Sequence, residues 1–505
     1  MKIKIKYFAF LGIISFILLS SACKKTFLDA DIRGGIPMDT YYKTDEEALA
    51  ATTAVYRQIW AAYMWGAPYI MKEMLSGEVN TGGGGAGDWP TFKLIQKFSY
   101  DPQNDEIVDA WNKYYKIISR ANLVINNITP DNDLRKRLIA ESKTLRAFSY
   151  FELVTLWGGV PLVVDILPPS EWSTQTRATV AEVYAQIEND LTEAIEVLPE
   201  KSSYGELDKW RASKGAARGL LLKAYLYEEK WASAIEQFTA IEFSGEYSLE
   251  PDFGKIFRWQ HELGRESLFE VVYANQGLSR GDFADNAYDC MNIMLMAPNQ
   301  DYYTQAPGDS LLPGWGFNIP LPNIWQAFVA AGDDGPRRHA TVWSVEELEA
   351  IGGYMDAACY DFEGFIRRKY GSYSYETTTT AGSDRAGSFG TNMRLLRYAD
   401  VLLMGSEAYY RNGDESNALK YLNMVRTRAK MPDVIASGSA IFDAIVNERR
   451  LELAFEGFRF QDLVRWNLAS QELGSVGFQS GKHEVLPIPF DERQIDPALE
   501  QNPGY

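Results

Sequence analysis

The sequence predicts a mainly α protein: tetratricopeptide-like helix pairs forming an α-solenoid scaffold, with a loop-rich irregular region and a few short strands. Three observations carry that expectation. Apolar residues recur at helical spacing along several segments, two segments share one hairpin pattern, and a long stretch between them shows neither signal.

Thr44, with Glu47 three residues on, is a capping box, and Ala48, Thr52, Val55 and Ile59 follow on one helical face. Trp111, Tyr115, Ile118, Asn122 and Ile125 make a second stripe; Val180, Val183, Ile187, Leu191, Ala194 and Leu198 make the cleanest one. Ala224, Ala234, Phe238 and Ile241 bracket the turn Glu228-Glu229-Lys230, as Ala408, Ala418, Leu422 and Val425 bracket Asn412-Gly413-Asp414. Both sets have offsets of ten, fourteen and seventeen residues. Small residues where helices touch, with larger ones outside them, suit a divergent tetratricopeptide-like pair; two unrelated pairs agreeing by chance is the alternative. From about 243 to 392, Gly, Pro, Asp and aromatics dominate and strand-like runs such as 268–273 are short. Such a stretch inside a helical protein points to function.

Of the 505 residues, 46% are hydrophobic and 23% charged, the balance of a folded chain. Aromatics reach 13%, with 13 Trp and 29 Tyr, more amphipathic rings than a core needs and well suited to gripping a ligand. The net charge of -18 repels phosphate backbones and argues against nucleic acid as a partner.

Lys2, Lys4 and Lys6 precede an apolar run over 7–19, too short to span a bilayer and typical of a signal peptide. Ser20-Ser21-Ala22-Cys23 then resembles a bacterial lipobox, with Cys23 lipidated and first in the mature chain. Ser20 departs from the usual leucine three before the cysteine, and ordinary signal cleavage with Cys23 left free is the alternative. No second apolar stretch has the length of a transmembrane helix, so lipid would be the membrane hold. Cys290 and Cys359 could pair in an oxidising compartment or stay as buried thiols.

Residues 145–163 (LRAFSYFELVTLWGGVPLV), 314–320 (GWGFNIP), 392–410 (NMRLLRYADVLLMGSEAYY), 447–466 (NERRLELAFEGFRFQDLVRW) and 483–505 (HEVLPIPFDERQIDPALEQNPGY) resemble the SusD/RagB family, and in its order. That resemblance implies a lipid-anchored protein on the outer face of an outer membrane. It also implies a tetratricopeptide-like scaffold, a looped face that binds oligosaccharides or other nutrients, and a SusC-like TonB-dependent transporter as partner. It implies no catalysis and no cofactor. The expected organisation is a signal peptide (1–22), a lipidated N-terminus and tether (23–43), and a helical region (44–242). A loop-rich ligand-binding region (243–392) and a C-terminal region with the second pair and a closing segment (393–505) complete it.

A sugar ring has one face of C–H groups that an indole can cover, while nearby polar side chains satisfy its hydroxyls. The candidates are Trp89, expected with Phe92 to stand beyond the scaffold on the loop GGGGAG, Trp315 in the GWG motif, and the pair Tyr302-Tyr303. Asp88 and Asn80 are the polar partners. Trp315 is as readily architectural. Trp111, Trp157, Trp231 and Trp466 lie in helical patterns and read as core.

Gly82, Gly84 and Gly87 match G-x-G-x-x-G, but a helical pattern is expected before them and no helix start after them, which argues against a nucleotide. Glu448, Glu452 and Glu456 share a helical face; Arg449, Arg450 and Arg459 nearby favour ion pairs over a metal site. His261, His339 and His483 are scattered, and no nucleophile or zinc motif occurs. The resemblance implies a glycan-capturing protein, and the residues supply no motif for a metal or cofactor; a surface glycoside hydrolase, a repeat scaffold or a peptide-uptake protein are the alternatives.

Overall fold

The computed structural model describes residues 41–274, 289–378 and 388–505; the leader and Cys23 lie outside them. Helix α1 (Asp45–Met64) begins at the expected capping box. The Thr44 hydroxyl accepts from the Glu47 amide at 3.2 Å, and the Glu47 carboxylate accepts from the Thr44 amide at 2.9 Å. Helices α2 (Tyr69–Met74) and α3 (Pro90–Gln96) flank strand β1 (Val79–Gly82). Three long helices follow, each started by a side-chain cap: α4 (Asp105–Asn127) by Asn104, α5 (Asp133–Trp157) by Asn132 and α6 (Val180–Val197) by Thr179. The stripe of α6 is buried from Val183 onward, whereas Val180, in the first turn, is exposed. Helix α1 packs on α4 and α5, and α5 packs between α4 and α6.

The two repeats form as helix pairs, α7 (Lys214–Tyr227) with α8 (Trp231–Ser244) and α9 (Tyr398–Arg411) with α10 (Glu415–Arg428). All eight pattern residues are buried. Glu229 and Gly413, five residues beyond the first alanine of each repeat, both turn the chain with positive φ, +59° and +86°. The pairs stack directly, α8 against α9. Gly405 makes this possible, because a Cβ there would lie 2.4 Å from the Phe238 ring. Helix α11 (Ser439–Glu452) extends the stack onto α9 and α10.

The segment between the pairs has more regular structure than its composition suggests: helices Met291–Met296, Pro322–Ala331, Pro336–Thr341 and Val345–Ala350 are too short to show a periodic stripe. Strands β2 (Ser267–Val271), β3 (Phe317–Pro320) and β4 (Met393–Arg397) join this segment to the rest. β1 pairs antiparallel with β3, and β2 with β4. A small second core of Tyr303, Leu311, Leu348, Met355, Ile366 and Tyr373 sits inside it.

Helix α11 ends at Glu452, so Glu448 and Glu452 share its face while Glu456 lies in the turn beyond it; all three carboxylates are occupied by ion pairs, though not with the expected arginines. Glu452 meets Arg337, Arg397 and Arg428; Glu448 meets Arg337 and Arg426; Glu456 meets Arg397 and Lys369, the partners coming from four segments, with Arg426 and Arg428 both on α10. Arg449 and Arg450 follow Glu448 directly, so they point off the stripe, to Asp400 and Asp462 and to Glu78. Arg459 lies beyond the helix and meets Glu78 and Glu472. Burial would raise the Glu452 carboxyl, but Arg428, Arg397 and Arg337 outweigh it and hold it well below the usual range.

Trp111 and Trp157 are core and Trp466 is buried at its edge, but Trp231, at the first position of α8, is only half-buried. Cys290 and Cys359 are free and buried, so they do not pair. Among the described residues no helix is long and apolar enough to cross a membrane.

Two substitutions test this packing by urea unfolding. Gly405→Ala drives a methyl into Phe238 and is expected to cost about 1–3 kcal/mol; an unchanged midpoint rejects the contact. Arg337→Met leaves Asp333, Glu448 and Glu452 without their shared guanidinium and is expected to cost about 3–5 kcal/mol. A loss under 1 kcal/mol would mean the network is dispensable.

Candidate functional site

The strand pair β1–β3 brings the two Gly-rich segments together. Gly82 lies opposite Phe317, and the Gly83 amide donates to the Gly316 carbonyl at 2.8 Å. Gly82 has φ +74°, and a Cβ there would meet the Gly316 oxygen at 2.1 Å. Gly314 and Gly316 press against residues 294–299 in the same way, at 2.3 Å from the Met294 oxygen and 2.5 Å from the Asn299 Cβ. The glycines of GWG are therefore architectural. The indole between them packs against the core and also lines a cleft.

That cleft holds about 330 Å3 and is lined by Trp65, Trp89, Trp315 and Phe317, with Asp88, Asn299, Gln300 and Asp301 as polar groups. Trp65 stands between the other two indoles, its centroid 5.0 Å from Trp89 and 5.5 Å from Trp315. Trp89 is seated edge-on against Phe92 (4.8 Å) and Phe317 (5.3 Å). Its indole N–H donates to Glu106 at 2.5 Å. Burial pushes the Glu106 carboxyl up, opposed by the bonds from Thr91 and Trp89. The Asn299 side-chain amide donates to the Gly83 carbonyl at 3.1 Å and its oxygen accepts from the Asp301 amide, so the polar wall is tied to the glycine loop.

The structure brings together Trp89, Trp315 and Asp88. Asn80 is elsewhere: it is 5% exposed, donating to the Asp361 carbonyl and Glu363 and accepting from Gln96. Tyr303 is 6% exposed in the second core, and Tyr302 packs against that core, so neither ring lines the cleft. Phe92 is fully buried rather than presented. Trp89 is half-buried and caps α3, so the glycine loop seats it instead of carrying it outward.

The setting of the glycine run also differs from expectation. β1 ends at Gly82 and α3 begins at Pro90, giving a strand–turn–helix. The turn is nevertheless filled from within: the Asp88 carboxylate accepts from the Gly84 amide at 3.0 Å, where an anion-binding loop would keep its amides for phosphate. Trp65, Asn299, Gln300 and Asp301 were not anticipated. Trp65 does carry a signal, since it ends α1 beside Gly66, as Trp315 and Trp89 sit beside glycine or proline.

Comparison with known proteins bears on this arrangement. Residues 34–226 match the family described as starch-binding associating with outer membrane, and residues 346–505 match the SusD family. SusD-like protein P38 of Formosa agariphila is 26% identical, covering 98% of both chains. A SusD-like protein of Bacteroides ovatus is 26% identical over 89% of this chain and 80% of its own. Among solved structures, a laminarin-binding SusD-like protein superposes with a TM-score of 0.82 at 32% identity, covering 92% of this chain and 100% of its own. Surface glycan-binding protein A from Bacteroides thetaiotaomicron, in complex with laminarihexaose, shares the fold with a TM-score of 0.78 at 24% identity, over 91% of this chain and all of its own. With both ends of the chain matched and its helical scaffold shared, the protein belongs to the SusD family.

Proposed function

We propose that this protein is a cell-surface binding protein, not an enzyme. It captures an oligosaccharide in the cleft of Trp65, Trp89 and Trp315 and delivers it to a SusC-like TonB-dependent transporter. The observation that carries the reading is the meeting of three indoles from three separated segments, with two carboxylates and two amides beside them. Indole faces cover the C–H face of pyranose rings, and carboxylates and amides take their hydroxyl hydrogens. The Trp65 ring is inclined 32° to Trp89 and 80° to Trp315, a bend in the platform that suits a curved chain more than a flat one. The likeness to a laminarin-binding protein makes laminarihexaose the first ligand to test. Membership of the SusD family supports the transporter as partner. The lipobox-like residues around Cys23 support anchoring by lipid.

Calorimetric titration of the purified protein with laminarihexaose and a panel of other oligosaccharides tests the site. Trp89→Ala and Trp65→Ala are each expected to weaken binding about tenfold or more, about 1.4 kcal/mol, while Trp231→Ala, which is not part of the cleft lining, leaves it unchanged. Unaltered affinity in both cleft variants sinks the assignment, and release of new reducing ends points to a hydrolase. In cell fractionation, Cys23→Ser is expected to move the protein from the membrane to the soluble fraction; retention in the membrane rejects the anchor.

A further inference from the structure

A second cleft, of about 220 Å3, opens where α4, the loop 158–179 and the C-terminal helix α12 (Phe490–Ile495) meet. One wall is aromatic. Trp111 and Tyr115, one turn apart on α4, have ring centroids 4.9 Å apart, and Trp172 faces the cleft from the loop. Trp172 is 63% exposed, yet it is held in place, its indole N–H donating to the Leu167 carbonyl at 3.1 Å. An indole fixed in solvent with no apolar cover is an unfinished contact.

The opposite wall is acidic. Glu492 and Asp496, four residues apart, both line the cleft. Asp496 is only 3% exposed. One carboxylate oxygen accepts from the Ala498 amide at 3.0 Å; the other is buried and has no hydrogen-bond partner among the described residues. Burial, with Asp491 adding to it, pushes the Glu492 carboxyl up. Among the described residues, no lysine, arginine or histidine lines the cleft. The neighbouring Arg177, whose charge reaches Tyr115, spends its donors elsewhere, on the carbonyls of Gly159 (2.7 Å) and Glu500 (3.0 Å) and on Asn502 (2.7 Å).

An unpaired buried carboxylate costs several kcal/mol in principle, and a hydroxyl would answer its hydrogen bond but not its charge. A cation answers both and also gains from lying within about 6 Å of an aromatic face. The volume falls below the range of about 300–1,000 Å3 usual for small-molecule sites, which suits one side chain or a small amine better than an oligosaccharide. We propose that this cleft binds a primary ammonium or guanidinium group carried on an apolar stem, as at the tip of a lysine or arginine side chain.

The purified protein would be titrated calorimetrically with acetyl-Gly-Lys-Gly-amide, its arginine and norleucine counterparts, n-butylammonium and laminarihexaose. The lysine and arginine peptides are expected to bind at least tenfold more tightly than the norleucine peptide. Trp172→Ala, an exposed position, and Asp496→Asn, which keeps the acceptor for Ala498, should each weaken them about tenfold, with Glu492→Gln as a second charge-removing variant. A peptide advantage over n-butylammonium assigns the site to a polypeptide, and equal affinity assigns it to free amines. The proposal is overturned if neither cation binds, if norleucine binds equally well, or if all three variants bind like the parent. It is also overturned if Trp172→Ala abolishes laminarihexaose binding, which would make the cleft a sugar subsite.

Discussion

Glu452 stands at the junction of the whole molecule, fully buried with three guanidiniums on it. Arg337 comes from the short helix Pro336–Thr341, Arg397 from the end of β4 and Arg428 from the end of α10. Glu456, Glu448 and Glu266 complete the set, so each arginine shares more than one carboxylate. Ions this deep are tolerated only when every charge is met at once, which makes the geometry all-or-none. The irregular middle segment therefore cannot slide on the helical stack, and the β1–β3 ladder that carries the indole cleft inherits a fixed footing.

The cleft is built by close backbone approach. Where Gly82 meets Gly316 and Gly314 meets Met294, chain touches chain, leaving the side chains of Trp89 and Trp315 on the outer surface of the junction. Trp89 is also braced by Phe92, Phe317 and Glu106, so contact with the proposed ligand would require little ordering of this side chain.

Much of the scaffold was legible in the sequence because capping boxes and helical stripes are local. Thr44 with Glu47, and the shared offsets of Ala224 and Ala408, locate helices without reference to anything distant. What was not legible was pairing across the chain. Arg337 lies more than a hundred residues before Glu448, so the neighbouring Arg449 and Arg450 looked like the partners although the helical twist turns them away. Asn80 and Tyr303 have the chemistry of sugar contacts, yet their neighbours Gln96 and Leu311 enclose them, and no local pattern announces that. Trp89, Trp315 and Asp88 were visible because glycines around them signal backbone under constraint. Trp65 was overlooked because it closes a helix whose stripe drew the attention.

The inward bond from Trp89 to Glu106 has a consequence for selectivity. With its only side-chain donor engaged by Glu106, this indole would meet the proposed guest solely as a flat apolar plate, indifferent to how the hydroxyls are arranged around a sugar. Under the proposed function, discrimination among stereoisomers would fall to Asp88, Asn299, Gln300 and Asp301, the polar groups lining the same cleft. Exchanging those four could retune the cleft toward a different glycan while the hydrophobic platform stays as it is.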